Sequence, residues 1–158
     1  MAETEGDTSR GKASPPENPA EPRAPSSGPS SEHRQRRARI LVIDDEPLLG
    51  QTLRLAFDGT HDVVVATSGR RGIELLEKDS SFDLVLCDLT MPDVSGMVVY
   101  QRAAELDAGL ARRFVLMTGG AFTPAARAFL ASHRGPRLEK PFDMDDVEAL
   151  LDRLSSEA

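Results

Sequence analysis

Four short apolar runs separated by segments of helical periodicity constrain this chain more tightly than anything else in its sequence. The runs are "RILVID" (39–44), "HDVVVAT" (61–67), "LVLC" (84–87) and "RFVLMTGG" (113–120), and "PRLEK" (136–140), mostly charged, reads as a brief fifth strand after them. Apolar side chains on consecutive positions leave no face for water, and a run this short does not make an ordinary helix. Such runs read as strands, and one apolar throughout, such as Leu84 to Cys87, as a strand covered on both faces. Between them, "PLLGQTLRLAF" opens with Pro47 in a first-turn position and spaces Leu48, Leu49, Leu53 and Phe57 along one face. Ser68 supplies an N-cap for a helix carrying Ile73, Leu75 and Leu76. "GMVVYQRAAEL" (96–106) reads as a third helix, and Thr123-Pro124 caps and starts a fourth over "PAARAFLAS". Asp143 caps a fifth helix that runs through Leu154. Five strands alternating with five helices predict a doubly wound parallel α/β sheet, and right-handed crossovers leave few ways to wind it.

Ahead of this pattern, residues 1–38 contain Ser, Pro, Glu, Gly and Arg with almost nothing to bury, as in "KASPPENPAEPRAPSSGPSSE". That composition predicts a disordered N-terminal tail, followed by one domain over 39–155. The basic run "HRQRRAR" (33–39) reads as a solvated flank, because the chain as a whole carries a net charge of −7. The same acidity argues against nucleic-acid binding driven by phosphate attraction. Cys87 is the one cysteine, so no internal disulfide can form, and its place in a buried run makes it a small core residue. No apolar run is long enough to span a bilayer and no secretory pattern opens the chain, so the expected location is the cytoplasm, with no membrane partner. Only "SSEA" follows Leu154, which gives no expectation of an attached output domain.

Parallel strands present their carboxyl ends on one edge of the sheet, so residues just past each apolar run become neighbours whatever their separation in sequence. Those ends carry Asp44 and Asp45, then Asp88, Thr118 and Lys140. Gathered carboxylates repel one another unless a cation is present. An all-oxygen set without His or Cys suits a hard divalent ion held by few carboxylates, the manner of Mg2+. An amine and a hydroxyl beside it meet the needs of a phosphoryl group, whose oxygens require donors and positive charge during transfer.

With those residues placed, the segments "VIDDE", "DLVLCDLTMPDVSG", "VLMTGG" and "LEKPF" resemble, in order, the motifs of the receiver domains of bacterial two-component response regulators. The resemblance covers about Arg39 to Leu154 and implies the flavodoxin-like (βα)5 fold with strand order 2-1-3-4-5. It implies that Asp88 accepts a phosphoryl group from the phosphohistidine of a histidine kinase or phosphotransfer protein. It also implies that Asp45 and Asp88 contact Mg2+ directly, that Asp44 acts through water, and that Thr90 offers its backbone carbonyl. Thr118 and Lys140 match the residues that hold phosphoryl oxygens, and Pro141 matches a proline preceded by a cis peptide. The turn around Met91, Pro92 and Gly96 lets the loop after Asp88 fold back toward the metal.

Three residues before Lys140, where receivers commonly carry an aromatic or histidine, stands Arg137, which either pairs with an acid or stays exposed. Thr90 and Gly120 match positions that flank the phosphoryl group in the family, and as neither offers an acid or amide to orient water, the resemblance implies slow hydrolysis. The reading is a stand-alone, phospho-accepting receiver that signals by conformational switching to a separate downstream protein and is not an enzyme in its own right. The alternative is a receiver-like scaffold that binds its partner independently of phosphorylation. A flavodoxin-like catalyst would need a phosphate-cradling loop where "DDEPLLG" is acidic, and a phosphatase would need a further acid or base that the sequence does not offer.

Overall fold

The computed structural model of the protein describes residues 37–120 and 123–157. Strands β1 (Arg39–Ile43), β2 (Asp62–Ala66), β3 (Leu84–Asp88), β4 (Phe114–Thr118) and β5 (Arg137–Glu139) pair in parallel. Their order is β2-β1-β3-β4-β5, the flavodoxin-like winding expected from the sequence. The helices are α1 (Pro47–Ala56), α2 (Gly69–Lys78), α3 (Gly96–Leu106), α4 (Ala108–Arg112), α5 (Pro124–Ser132) and α6 (Met144–Glu157).

Successive side chains on a strand point to opposite faces, and here both faces are covered. On one face Leu41, Ile43, Val85, Cys87, Phe114 and Leu116 meet Leu76 of α2, Val99 and Ala103 of α3, Leu110 of α4 and Leu130 of α5. On the other, Ile40, Val42, Leu84, Leu86, Val115 and Met117 meet Leu53 and Phe57 from the α1 side and Val147, Leu150 and Leu151 of α6. Cys87 belongs to this core: it is fully buried, and burial pushes its thiol pKa well above the ordinary range.

Caps fall where the sequence put them. Ser68 accepts from the Arg71 N–H and Thr123 from the Ala126 N–H. At the start of α6, Asp143 accepts from the Asp146 N–H while Asp146 accepts in return from the Asp143 N–H, a reciprocal capping box.

Four details differ from expectation. A sixth helix, α4, follows α3 because Asp107 is extended (φ −162°, ψ 119°) and serves both: its N–H closes α3 on the Ala103 carbonyl and its carboxylate accepts from the Gly109 N–H to open α4. Leu48 is 64% exposed rather than on the buried stripe of α1. That stripe is set by Leu53, Phe57 and Gly50, and Leu48 lies about 200° around the helix from Gly50. The final helix continues past Leu154 to Glu157, since neither glycine nor proline stops it and the Ser156 hydroxyl donates to the Asp152 carbonyl. Finally, Arg37 and Ala38, read as tail, already engage the domain. Arg37 donates to Asp62 at 2.6 Å and to the Gly59 carbonyl, and the Ala38 N–H donates to His61 Nδ1. Residues 1–36, the rest of the expected tail, lie outside the described residues.

Candidate functional site

Register brings the site together. β1 and β3 pair with Ile43 opposite Cys87, so Asp44 and Asp88, the next residue of each chain segment, emerge side by side at the carboxyl edge. β4 pairs Met117 with Asp88 and places Thr118 one step further along. β5 then pairs Glu139 with Thr118, and the Lys140 N–H donates to the Thr118 carbonyl at 2.7 Å. All of the strand-end residues named from the sequence therefore lie on this one edge.

The carboxylates of Asp44, Asp45 and Asp88 each bring an oxygen within 4.8 Å of the others. Asp44 is 1% exposed, Asp88 partly buried and Asp45 exposed. Asp44 is held from two sides, accepting from the Glu46 N–H at 2.9 Å and from Lys140 Nζ at 2.7 Å. Lys140 Nζ also lies 3.6 Å from Asp88 Oδ1. Partial burial works against its charge, yet the bond to Asp44 and the negative charges of Asp88 and Asp44 raise the Lys140 pKa overall.

One cation does not satisfy three carboxylates. The Asp88 carboxyl is pushed up to about 6, first by burial and then by the charge of Asp44, against the lowering effects of Lys140 and of the Thr90 backbone N–H, which donates to it. Burial and the neighbouring carboxylate both disfavour its charge, and a further cation beside it would favour it. The site's donors are all carboxylate oxygens, with no His or Cys among them, which suits a hard divalent ion.

Glycine shapes the approach. A Cβ on Gly96 would fall 2.4 Å from the Asp88 carbonyl oxygen and 2.9 Å from Leu89 Cα, so no other residue lets α3 start this close to the strand end. Gly120 is exposed at φ +79° with nothing within 4 Å of where its Cβ would lie, and the Lys140–Pro141 peptide is cis. Thr90 is exposed, its N–H turned to Asp88.

Arg137 takes neither of the courses anticipated for it in full. It is exposed, yet its guanidinium donates to the Leu130 carbonyl at 2.8 Å and reaches the His133 carbonyl at 3.5 Å, capping the carboxyl end of α5. Two residues that the sequence reading missed, Gly69 and Asp93, join the loop after β3 to the start of α2. The turn composition around Pro92 hinted at the loop but not at its partner.

Residues 40–152 match the family model of the response regulator receiver domain. Over 115 residues the chain is 30% identical to the transcriptional regulatory protein ZraR of Escherichia coli, which covers 72% of this chain and 25% of that protein. It is 32% identical over 114 residues to the C4-dicarboxylate transport transcriptional regulatory protein DctD of Pseudomonas aeruginosa, covering 72% of this chain and 24% of the relative. The chain thus spans about a quarter of the length of these two relatives. Among solved structures, a response regulator receiver domain protein from Clostridium thermocellum superposes with a TM-score of 0.64 at 29% identity, covering 76% of this chain and 95% of that one. A response regulator receiver protein from Sinorhizobium medicae gives 0.63 at 25% identity, covering 76% and 95%. A five-stranded sheet in this order, an acidic edge built from its strand ends and a family match over most of the domain agree, and the chain belongs to the response regulator receiver domains, the signalling modules of two-component systems.

Proposed function

We propose that this receiver accepts a phosphoryl group on Asp88 from the phosphohistidine of a histidine kinase or phosphotransfer protein, and passes the resulting change of conformation to a separate downstream protein. The observation that carries this reading is the convergence of three carboxylates within 4.8 Å of one another, with Lys140 Nζ 3.6 Å from Asp88. An Asp88 oxygen attacks phosphorus, the bond from phosphorus to the donor imidazole breaks, and the imidazole nitrogen keeps the electron pair. Asp88 becomes an acyl phosphate.

The residues divide the work. Asp88 is the acceptor because Asp44 is committed to Lys140 and the Glu46 N–H, and Asp45 stands exposed at the rim. Lys140 and Thr118, which end the two strands next to α5 and α6, hold phosphoryl oxygens. Asp44, Asp45, Asp88 and the Thr90 backbone carbonyl are the residues that would hold Mg2+, with Asp44 acting through water. The ion supplies positive charge for the carboxylates and for the oxygens of the transferring group. Bonds from Thr118 and Lys140 to a new phosphoryl group draw the β4 and β5 ends inward and alter the surface of α5, β5 and α6, where the partner docks.

Intact-mass measurement after incubation with acetyl phosphate tests the reading. The expected result is one phosphoryl adduct on the native chain with Mg2+, none in chelator, and none on Asp88→Asn. An adduct that persists on Asp88→Asn overturns the acceptor. No adduct on the native chain, with partner binding retained, makes the protein a receiver-shaped scaffold.

A further inference from the structure

The loop of residues 89–95 between β3 and α3 carries Thr90, and it is held at three places. At its base the Gly96 N–H donates to the Leu89 carbonyl at 2.9 Å, closing the loop on itself. In its middle Met91, 7% exposed, and the partly buried Val94 anchor it to the core. At its tip the loop meets a different element: the exposed Asp93 carboxylate accepts from the Gly69 N–H at 3.2 Å and the Arg70 N–H at 3.0 Å, the first two amides of α2. The Arg70 amide, foremost, holds the Asp93 carboxyl below the usual range.

This contact is built closely. A Cβ on Gly69 would lie 2.5 Å from the Val94 carbonyl oxygen and 2.8 Å from Val94 Cβ, so the helix start and the loop are in direct apposition. Helix α2 already has its own cap in Ser68, whose hydroxyl takes the Arg71 N–H, while Asp93 takes two further free amides from another part of the chain. The helix itself does not depend on the loop for its place, since Gly72 packs on Ile43 and Leu76 is buried in the core. It is a fixed post to which the loop is tied.

We propose that Asp93 is a positioning residue for the Asp88 centre: it ties the loop to the start of α2, so that the Thr90 backbone keeps its N–H on Asp88 and presents its carbonyl to the cation. The inference rests on the Mg2+ reading above. A reactive centre tolerates little displacement of its supports; buried Leu89 and Met91 flank Thr90 and Val94 packs on the core, while the Asp93 tie fixes the exposed remainder of the loop, whose small shifts turn the Thr90 peptide.

Mg2+ titration of the full chain, followed by the amide resonances of Asp88 and Thr90, tests this with Asp93→Ala and Asp93→Asn. Asp93→Ala is expected to bind Mg2+ about tenfold more weakly, the low end for outer supports of a metal site, and to displace the Thr90 resonance even in chelator. Asp93→Asn keeps one carbonyl oxygen for the two amides and should fall between. The urea midpoint in chelator should fall modestly in Asp93→Ala, as for any lost helix cap, with a single cooperative transition kept, which separates misplacement from unfolding. If Asp93→Ala fails to fold, Asp93→Asn is judged on the same criterion. Native Mg2+ affinity in the variants, with ordinary binding by the wild type, overturns this inference alone. No binding by the wild type overturns the Mg2+ reading beneath it.

Discussion

Lys140 reaches across 96 positions of sequence to set its ammonium 2.7 Å from Asp44 Oδ2, while staying 3.6 Å from Asp88 Oδ1. One cation thus spans a buried carboxylate and a partly buried one, and it is outnumbered by the carboxylates around it.

Removing that cation while keeping its stem should expose the imbalance. Breaking a buried ion pair from one side costs about 3–5 kcal/mol, but the Lys140 side chain is 29% exposed, so Lys140→Met should destabilise the metal-free protein by about 2 kcal/mol. Millimolar Mg2+ should recover part of this loss. Urea unfolding in chelator and in Mg2+ provides the comparison, and an equal loss in both media would mean that Lys140 acts through packing.

Asp88 predicts a pH dependence of definite sign. Its carboxyl moves from 3.8 to about 6 on folding, so the folded state holds the proton more tightly than the unfolded state. The group's favourable contribution is complete below pH 3.8 and is lost as pH rises through about 6. Two units correspond to about 2–3 kcal/mol. In chelator, stability should fall across that window, and Asp88→Asn should flatten the curve and be the more stable protein at neutral pH. A wild-type curve that rises from pH 4 to pH 6, with no difference from Asp88→Asn, would contradict the assignment.

Gly96→Ala places a methyl 2.4 Å from the Asp88 carbonyl oxygen, a backbone atom that cannot swing aside. Overpacking of this kind costs about 1–3 kcal/mol, and because the strain falls on Asp88 and Leu89, weaker phosphorylation should accompany it. Chemical denaturation and the intact-mass assay read the two effects.

Arg137→Ala removes the donor from the Leu130 and His133 carbonyls at the end of α5. The expected loss is about 1 kcal/mol, with faster amide exchange confined to the last turn of that helix. Exchange that spreads across the sheet instead would show that the side chain does more than cap.

Strands β1, β3 and β4 were legible because doubly covered strands are apolar on consecutive positions, whereas β2 is partly exposed and β5 buries only Leu138. The edge that gathers Asp44, Asp88, Thr118 and Lys140 was legible for a related reason, since parallel strands end together. The rest depended on partners that no periodicity advertises. Asp107 ends one helix and begins another with a single extended residue, and Asp93 meets amides more than twenty residues away. Arg137 found backbone carbonyls where an acid was one of the partners considered. Leu48 fits a helical stripe on paper, yet Gly50, packed on Val65, turns the helix so that Leu48 faces outward.

Cys87 gives the molecule a built-in clock. It is the chain's sole thiol, it is fully buried, and its sulfur lies 3.4 Å from the Asp88 carbonyl oxygen. A thiol reagent therefore gains access only during excursions that uncover β3, and the labelling rate counts those excursions. A ligand that binds only the closed form makes them rarer by a factor of 1 + [L]/Kd, so Mg2+ or beryllofluoride at Asp88 should slow labelling by that factor. A rate indifferent to both would mean that the sheet opens behind Cys87 while the acidic edge stays shut, and that the two halves of the strand are protected separately.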